Sequence, residues 1–167
     1  MSKINPEHIK AVINLINQGP YFKLLSMEVC ELRLGYSRVE VTLENKHLTP
    51  FGGIHGGVYS SLIDTAAYWA IYCDVDEKVG YVSIDVNVDF LSTTNNGHLI
   101  VEGKRIKSGR SIYLAEATIT NSQGKYLAHG TSKLMVTPSV QTISQIAVSL
   151  RYKALPPKYT IQTIQTI

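Results

Sequence analysis

The stretch Gly53-Ile54-His55-Gly56-Gly57-Val58-Tyr59-Ser60-Ser61-Leu62-Ile63-Asp64-Thr65-Ala66-Ala67-Tyr68-Trp69-Ala70-Ile71-Tyr72-Cys73 decides how the chain must fold. Val58, Leu62, Thr65, Ala66, Trp69 and Cys73 recur at helical spacing, and Ser60, Ser61, Ala66, Ala67 and Ala70 are small enough to fill the gaps between larger neighbours. The spacing predicts a buried helix. Apart from the tyrosines, Asp64 is the only ionisable side chain between His55 and Tyr72. A carboxylate in such surroundings needs a partner or a task. Asp64 is therefore the first candidate functional residue, the bland alternative being a carboxylate that caps or pairs structurally.

On the N-terminal side, Asn5 and Pro6 form a helix start, and Ile9, Val12, Ile13 and Ile16 continue an amphipathic pattern until Gly19-Pro20 stops it. Segments 27–34 and 36–43 read as two strands joined at Gly35, with Val39, Val41 and Leu43 facing inward. Residues 44–54 have no periodicity and form a loop that delivers the chain to the helix. On the C-terminal side, Asp74-Val75-Asp76-Glu77-Lys78 is a charged turn. Val82, Ile84, Val86, Val88 and Phe90 then alternate with polar residues as a strand. Segments 98–107, 111–121 and 125–136 follow at hairpin spacing. In the last of these, Ala128, Gly130 and Ser132 share a face with Leu134 and Val136, which lets a helix lie close. The order predicts an α+β fold in which an antiparallel sheet wraps one apolar helix.

The chain's 167 residues suffice for one domain, expected over 1–137, and a tail at 138–167 that is weakly helical near Ile143–Leu150 and flexible from 151. A net charge of +3 and a single basic cluster, Lys104, Arg105, Lys107 and Arg110, disfavour nucleic acid. Cys30 and Cys73 read as free buried thiols of a reducing compartment, and His8, His47, His98 and His129 have no metal-ligand spacing. Without an apolar leader or membrane-length segment, the protein is expected to be soluble and cytoplasmic, with no metal and no membrane partner.

A glycine-flanked helix start offers unpaired N–H groups and the positive end of the macrodipole, which makes the Gly56 N–H a candidate oxyanion donor. Asp64 lies eight residues further on, roughly 12 Å along the axis, too far for both groups to act on one carbonyl in a single subunit. A two-fold dimer with antiparallel helices would bring Asp64 of one copy to Gly56 of the other.

Pro50-Phe51-Gly52-Gly53-Ile54-His55-Gly56-Gly57 with Asp64-Thr65-Ala66, followed by Val82-Ser83-Ile84-Asp85 and Ser108-Gly109-Arg110-Ser111, resembles the hotdog-fold acyl-CoA thioesterases of the PaaI type over roughly residues 20–137. The resemblance implies a helix wrapped by an antiparallel sheet, homodimers that often pair into tetramers, an acyl-CoA substrate, and no cofactor beyond the CoA of that substrate. It implies that Asp64 activates water or attacks the thioester, that Gly56 binds the oxyanion, and that His55 shapes the mouth of the site. Ser83 falls near the reaction centre, and Gly57, Lys107, Arg110 and Ser111 fall where family members meet CoA. On the residues alone, Ser83 reads as a solvated strand serine and the basic cluster as a wet hairpin face. Where many members have Asn, six residues before the histidine, this chain has Thr49, which has a shorter reach and no amide. That departure gives the alternative reading some weight: a non-catalytic acyl-CoA-binding or regulatory module on the same fold. A hotdog dehydratase, which uses another arrangement of His and acid, is a weaker third.

Overall fold

A computed structural model describes residues 2–161. Asn5 caps helix α1 (Pro6–Ile16), its side chain accepting the Glu7 N–H at 3.1 Å with Pro6 in the first turn. A second short helix, α2 (Pro20–Leu25), starts where the sequence reading has only a stop, because proline is as well suited to open a helix as to end one. Strands β2 (Met27–Arg33) and β3 (Tyr36–Thr42) form the expected hairpin at Gly35, whose positive φ suits glycine. After a short 3₁₀ turn at Asn45–His47 comes the central helix α3 (Gly56–Ala70), then β4 (Gly80–Phe90), β5 (His98–Ser108), β6 (Ile112–Asn121) and β7 (Tyr126–Thr137).

Six antiparallel strands lie in the order β2-β3-β5-β6-β7-β4. The hairpins at 108–111 and 122–125 are as expected, but β4 and β5 are not paired. The 91–97 connection instead carries the chain from the β4 edge, where β4 pairs β7, to the middle of the sheet, where β5 pairs β3. A turn-rich segment marks a change of direction without saying which strand comes next.

The sheet wraps α3, which buries Val58, Tyr59, Leu62, Ile63, Ala66, Ala67 and Ala70. Contact is closest at two glycines. A Cβ on Gly103 would strike the Ala66 carbonyl, and one on Gly130 would lie 2.7 Å from Ile63 Cγ2, so these strand positions must lack a side chain. Ala128, Ser132 and Leu134 are buried beside Gly130, as the small-residue pattern requires. The helix ends at Ala70, three residues short of Cys73, and Asp74 of the charged turn pairs with Arg105. Cys73 is buried. Cys30, expected to be buried, is exposed: Met27 and Val29 face the core, so strand alternation turns Glu28 and Cys30 outward.

The end of the described chain is bound rather than loose. Helix α4 (Ile143–Ser149) is capped by Thr142, and β8 (Tyr159–Ile161) pairs with β1 (Ser2–Ile4). The His8 ring bridges the Pro156 carbonyl and the Tyr72 hydroxyl, each at 2.6 Å, and Asn5 Nδ2 donates to the Pro157 carbonyl. Lys158, 1 % exposed, donates to the carbonyls of Tyr72 and Val75 at 2.7 and 2.6 Å. The flexibility expected from residue 151 does not extend over 151–161. These partners come from α1 and the end of α3, far away in sequence. Residues 162–167, with the two terminal Gln-Thr-Ile repeats, lie outside the described residues.

Candidate active site

The N-terminus of α3 is built by its own capping residue. His55 has extended backbone angles and its Nδ1 accepts the Gly57 N–H at 2.8 Å. With Nδ1 acting as acceptor, a proton on the neutral ring sits on the exposed Nε2. The Gly57 N–H is thus taken, and a Cβ at Gly57 would sit 2.9 Å from Nδ1. The Gly56 N–H has no partner among the described residues and lies at the first helical position, where no intrahelical acceptor exists. The Phe90 ring stands 3.1 Å from where a Gly56 Cβ would be.

Two turns further along α3, the half-buried Asp64 accepts a hydrogen bond from the Ser83 hydroxyl at 2.7 Å. Ser83 precedes a break in the β4–β7 register, where Ile84 is an extra residue with no partner in β7. Ser83 is therefore turned in to the helix rather than solvated. No lysine, arginine or histidine pairs with Asp64 among the described residues. One turn on, the Tyr68 hydroxyl donates to the Tyr81 carbonyl at 3.1 Å. Burial, and secondarily the Asp64 charge, pushes the Tyr68 phenol up to about 12, so it is a neutral hydrogen-bond donor here.

The other sequence candidates lie apart from this pair. The Thr49 hydroxyl accepts the Phe51 N–H at 3.3 Å, and its backbone is bonded to Gly52 and Gly53, so the side chain organises its own loop. Lys107, Arg110 and Ser111 are exposed around the β5–β6 hairpin. The register runs from Ser83 through Leu134 and Tyr113 to Ser108, three strand spacings or roughly 14 Å across the sheet. Arg105 leaves the basic cluster to pair with Asp74. What sequence reasoning missed is the Asp64–Ser83 contact itself, for which strand alternation carries no signal.

The thioesterase superfamily model matches residues 51–128, the span from the loop before α3 into β7. A protein of Archaeoglobus fulgidus with an esterase assignment is 30% identical over 110 residues, covering 64% of this chain and 68% of that one. The chain belongs to the thioesterase superfamily. Its reaction class is thioester hydrolysis. Acyl-coenzyme A thioesterase 13 of Mus musculus is 29% identical over 93 residues, 54% of this chain, and the match spans 66% of that enzyme. In structure, this thioesterase is similar to one of Haemophilus influenzae with a TM-score of 0.71 at 21% identity, covering 77% of this chain and 90% of the other. That likeness is one of fold, and it makes the sheet-wrapped α3 a hotdog fold.

Proposed function

We propose that this thioesterase hydrolyses acyl-CoA as a homodimer. The observation that carries the reading is Asp64: a carboxylate in the wall of the fold, steered by the Ser83 hydroxyl and paired with no cation among the described residues. A carboxylate spent on a structural ion pair could not take a proton from water; this one can.

In the proposed reaction, Asp64 removes a proton from water as the water oxygen bonds to the thioester carbonyl carbon, or attacks that carbon directly. Negative charge develops on the carbonyl oxygen against the Gly56 N–H of a second copy. The C–S bond then breaks, the CoA sulfur takes up the proton held by Asp64 and the free acid leaves. After direct attack the sulfur instead takes its proton from water, and the resulting hydroxide opens the acyl–Asp64 anhydride, releasing the acid and restoring the carboxylate. A base of this kind supplies roughly 10² to 10⁴ in rate and an oxyanion donor roughly 10² to 10³. The second copy is needed because Gly56 and Asp64 lie eight residues apart on one helix, about 12 Å at 1.5 Å per residue. Edge strand β4 supports such pairing: Ile84, Val86 and Phe90 are 49 %, 40 % and 59 % exposed on a strand with one unpaired side. His55 would shape the mouth of the site, with Gly57 beside it. Lys107, Arg110 and Ser111 stand where the charged end of CoA could lie away from the reacting carbonyl.

The test is thiol release over a panel of acyl-CoAs. Asp64→Asn is expected to lower kcat at least 100-fold while leaving the melting temperature within a few degrees. Wild-type turnover in a folded Asp64→Asn protein overturns the proposal.

A further inference from the structure

Beyond the Tyr68–Tyr81 contact lies a cavity of about 470 Å³, a size usual for small-molecule sites. Its walls come from the end of α3 (Trp69), α2 (Phe22), the run into β4 (Val79), α4 (Ile143, Ile146) and Lys158. It is mostly apolar. Among the described residues Lys158 is the one cation in its wall, and its ammonium already serves the carbonyls of Tyr72 and Val75; Asp76 and Glu77 add negative charge at the wall. An anionic head group would meet two carboxylates and a lysine already engaged. Uncharged hydrocarbon meets none of these costs and gains by leaving water.

The cavity is in line with the candidate site. Asp64 and Tyr68 are one turn apart on α3, and Ser83 and Tyr81 are two residues apart on β4. The pairs Asp64–Ser83 and Tyr68–Tyr81 are thus successive rungs between the same helix and strand, and both tyrosines of the second rung line the cavity.

We propose that this cavity takes the aliphatic chain of the substrate's acyl group, so that the enzyme is selective for long-chain acyl thioesters. The inference rests on the reading of Asp64 as the reacting group. Helix α4 and Lys158 are part of the cavity wall, so the space they leave sets how much chain fits.

Trp69, the only tryptophan, lines the cavity and reports on its occupancy. S-hexadecyl-CoA, a thioether that cannot be hydrolysed, is titrated into the full-length protein with S-methyl-CoA as control. The expected result is a change in Trp69 emission with the hexadecyl compound only. In Ile146→Phe, which fills the cavity, hexadecyl affinity falls at least tenfold, and the ratio of kcat/KM for palmitoyl-CoA over acetyl-CoA falls by a similar factor. Phe22→Ala, which enlarges it, moves the chain-length optimum the other way, which a general loss of stability would not do. Silent Trp69 emission at saturation, or a chain-length profile that neither variant moves, overturns the inference while leaving acyl-CoA hydrolysis standing. A Trp69 response from a protein that hydrolyses no acyl-CoA upholds the cavity and removes the proposed chemistry instead.

Discussion

The Ser83 hydroxyl donates to Asp64 Oδ1 at 2.7 Å, tying edge strand β4 to the middle of the central helix. The bond orients one carboxylate oxygen and leaves the other for water or substrate. Removing it is expected to loosen the acid without removing it. Ser83→Ala should lower kcat about tenfold, the rate equivalent of a hydrogen bond worth about 1.4 kcal/mol, with KM for acyl-CoA unchanged. A steady-state comparison decides it; a pure KM effect would place Ser83 in binding rather than in orienting the acid.

Subunit mixing tests whether a site is shared. Gly56→Pro removes the free N–H, and proline suits this first helical position because His55 before it is already extended, at φ −73° and ψ 134°. Gly56→Pro and Asp64→Asn homodimers should each be nearly inactive. Mixed dimers carry one site with both defects and one with none, so denaturing and refolding the two variants together should restore turnover well above either alone. No recovery in verified mixed dimers would place donor and acid in the same subunit.

Lys158 clamps the C-terminal segment to the end of α3, and Lys158→Met leaves two buried carbonyls without their donor. The expected cost is about 1 to 3 kcal/mol, read as a lower melting temperature and faster tryptic cleavage at Arg151 and Lys153. Burial holds the Lys158 ammonium below its ordinary range. Between that lowered value and the unfolded one the unfolded chain binds more protons, so this residue makes stability rise with pH there. The methionine variant should lose that rise. A variant with wild-type stability, pH dependence and cleavage would show that the clamp contributes nothing.

Most of the elements were legible in the sequence because the forces that make them are local. Asn5-Pro6 starts a helix by satisfying its first N–H, and Gly35 turns a hairpin by adopting a positive φ. The apolar run 58–70 must be covered whatever surrounds it. The His-Gly-Gly motif and Asp64 stood out for a related reason, since a free helix N-terminus and a lone acid are each unusual in such a run. Thr49 also stood out, but its hydroxyl is bonded within its own loop, where spacing from His55 gives no information.

By itself the sequence determined that a greasy helix would be wrapped by an antiparallel sheet, with one acid on that helix and open amides at its start. Tertiary structure alone decided that β4 crosses to the far edge beside β7, that Ser83 meets Asp64, and that α4 and Lys158 close a cavity past Tyr68. The reason is range. Caps, turns and periodicity are settled among near neighbours in the chain. The strand order, the serine–acid contact and the clamped C-terminal segment join residues 19 to 152 positions apart, and only the folded chain brings them together.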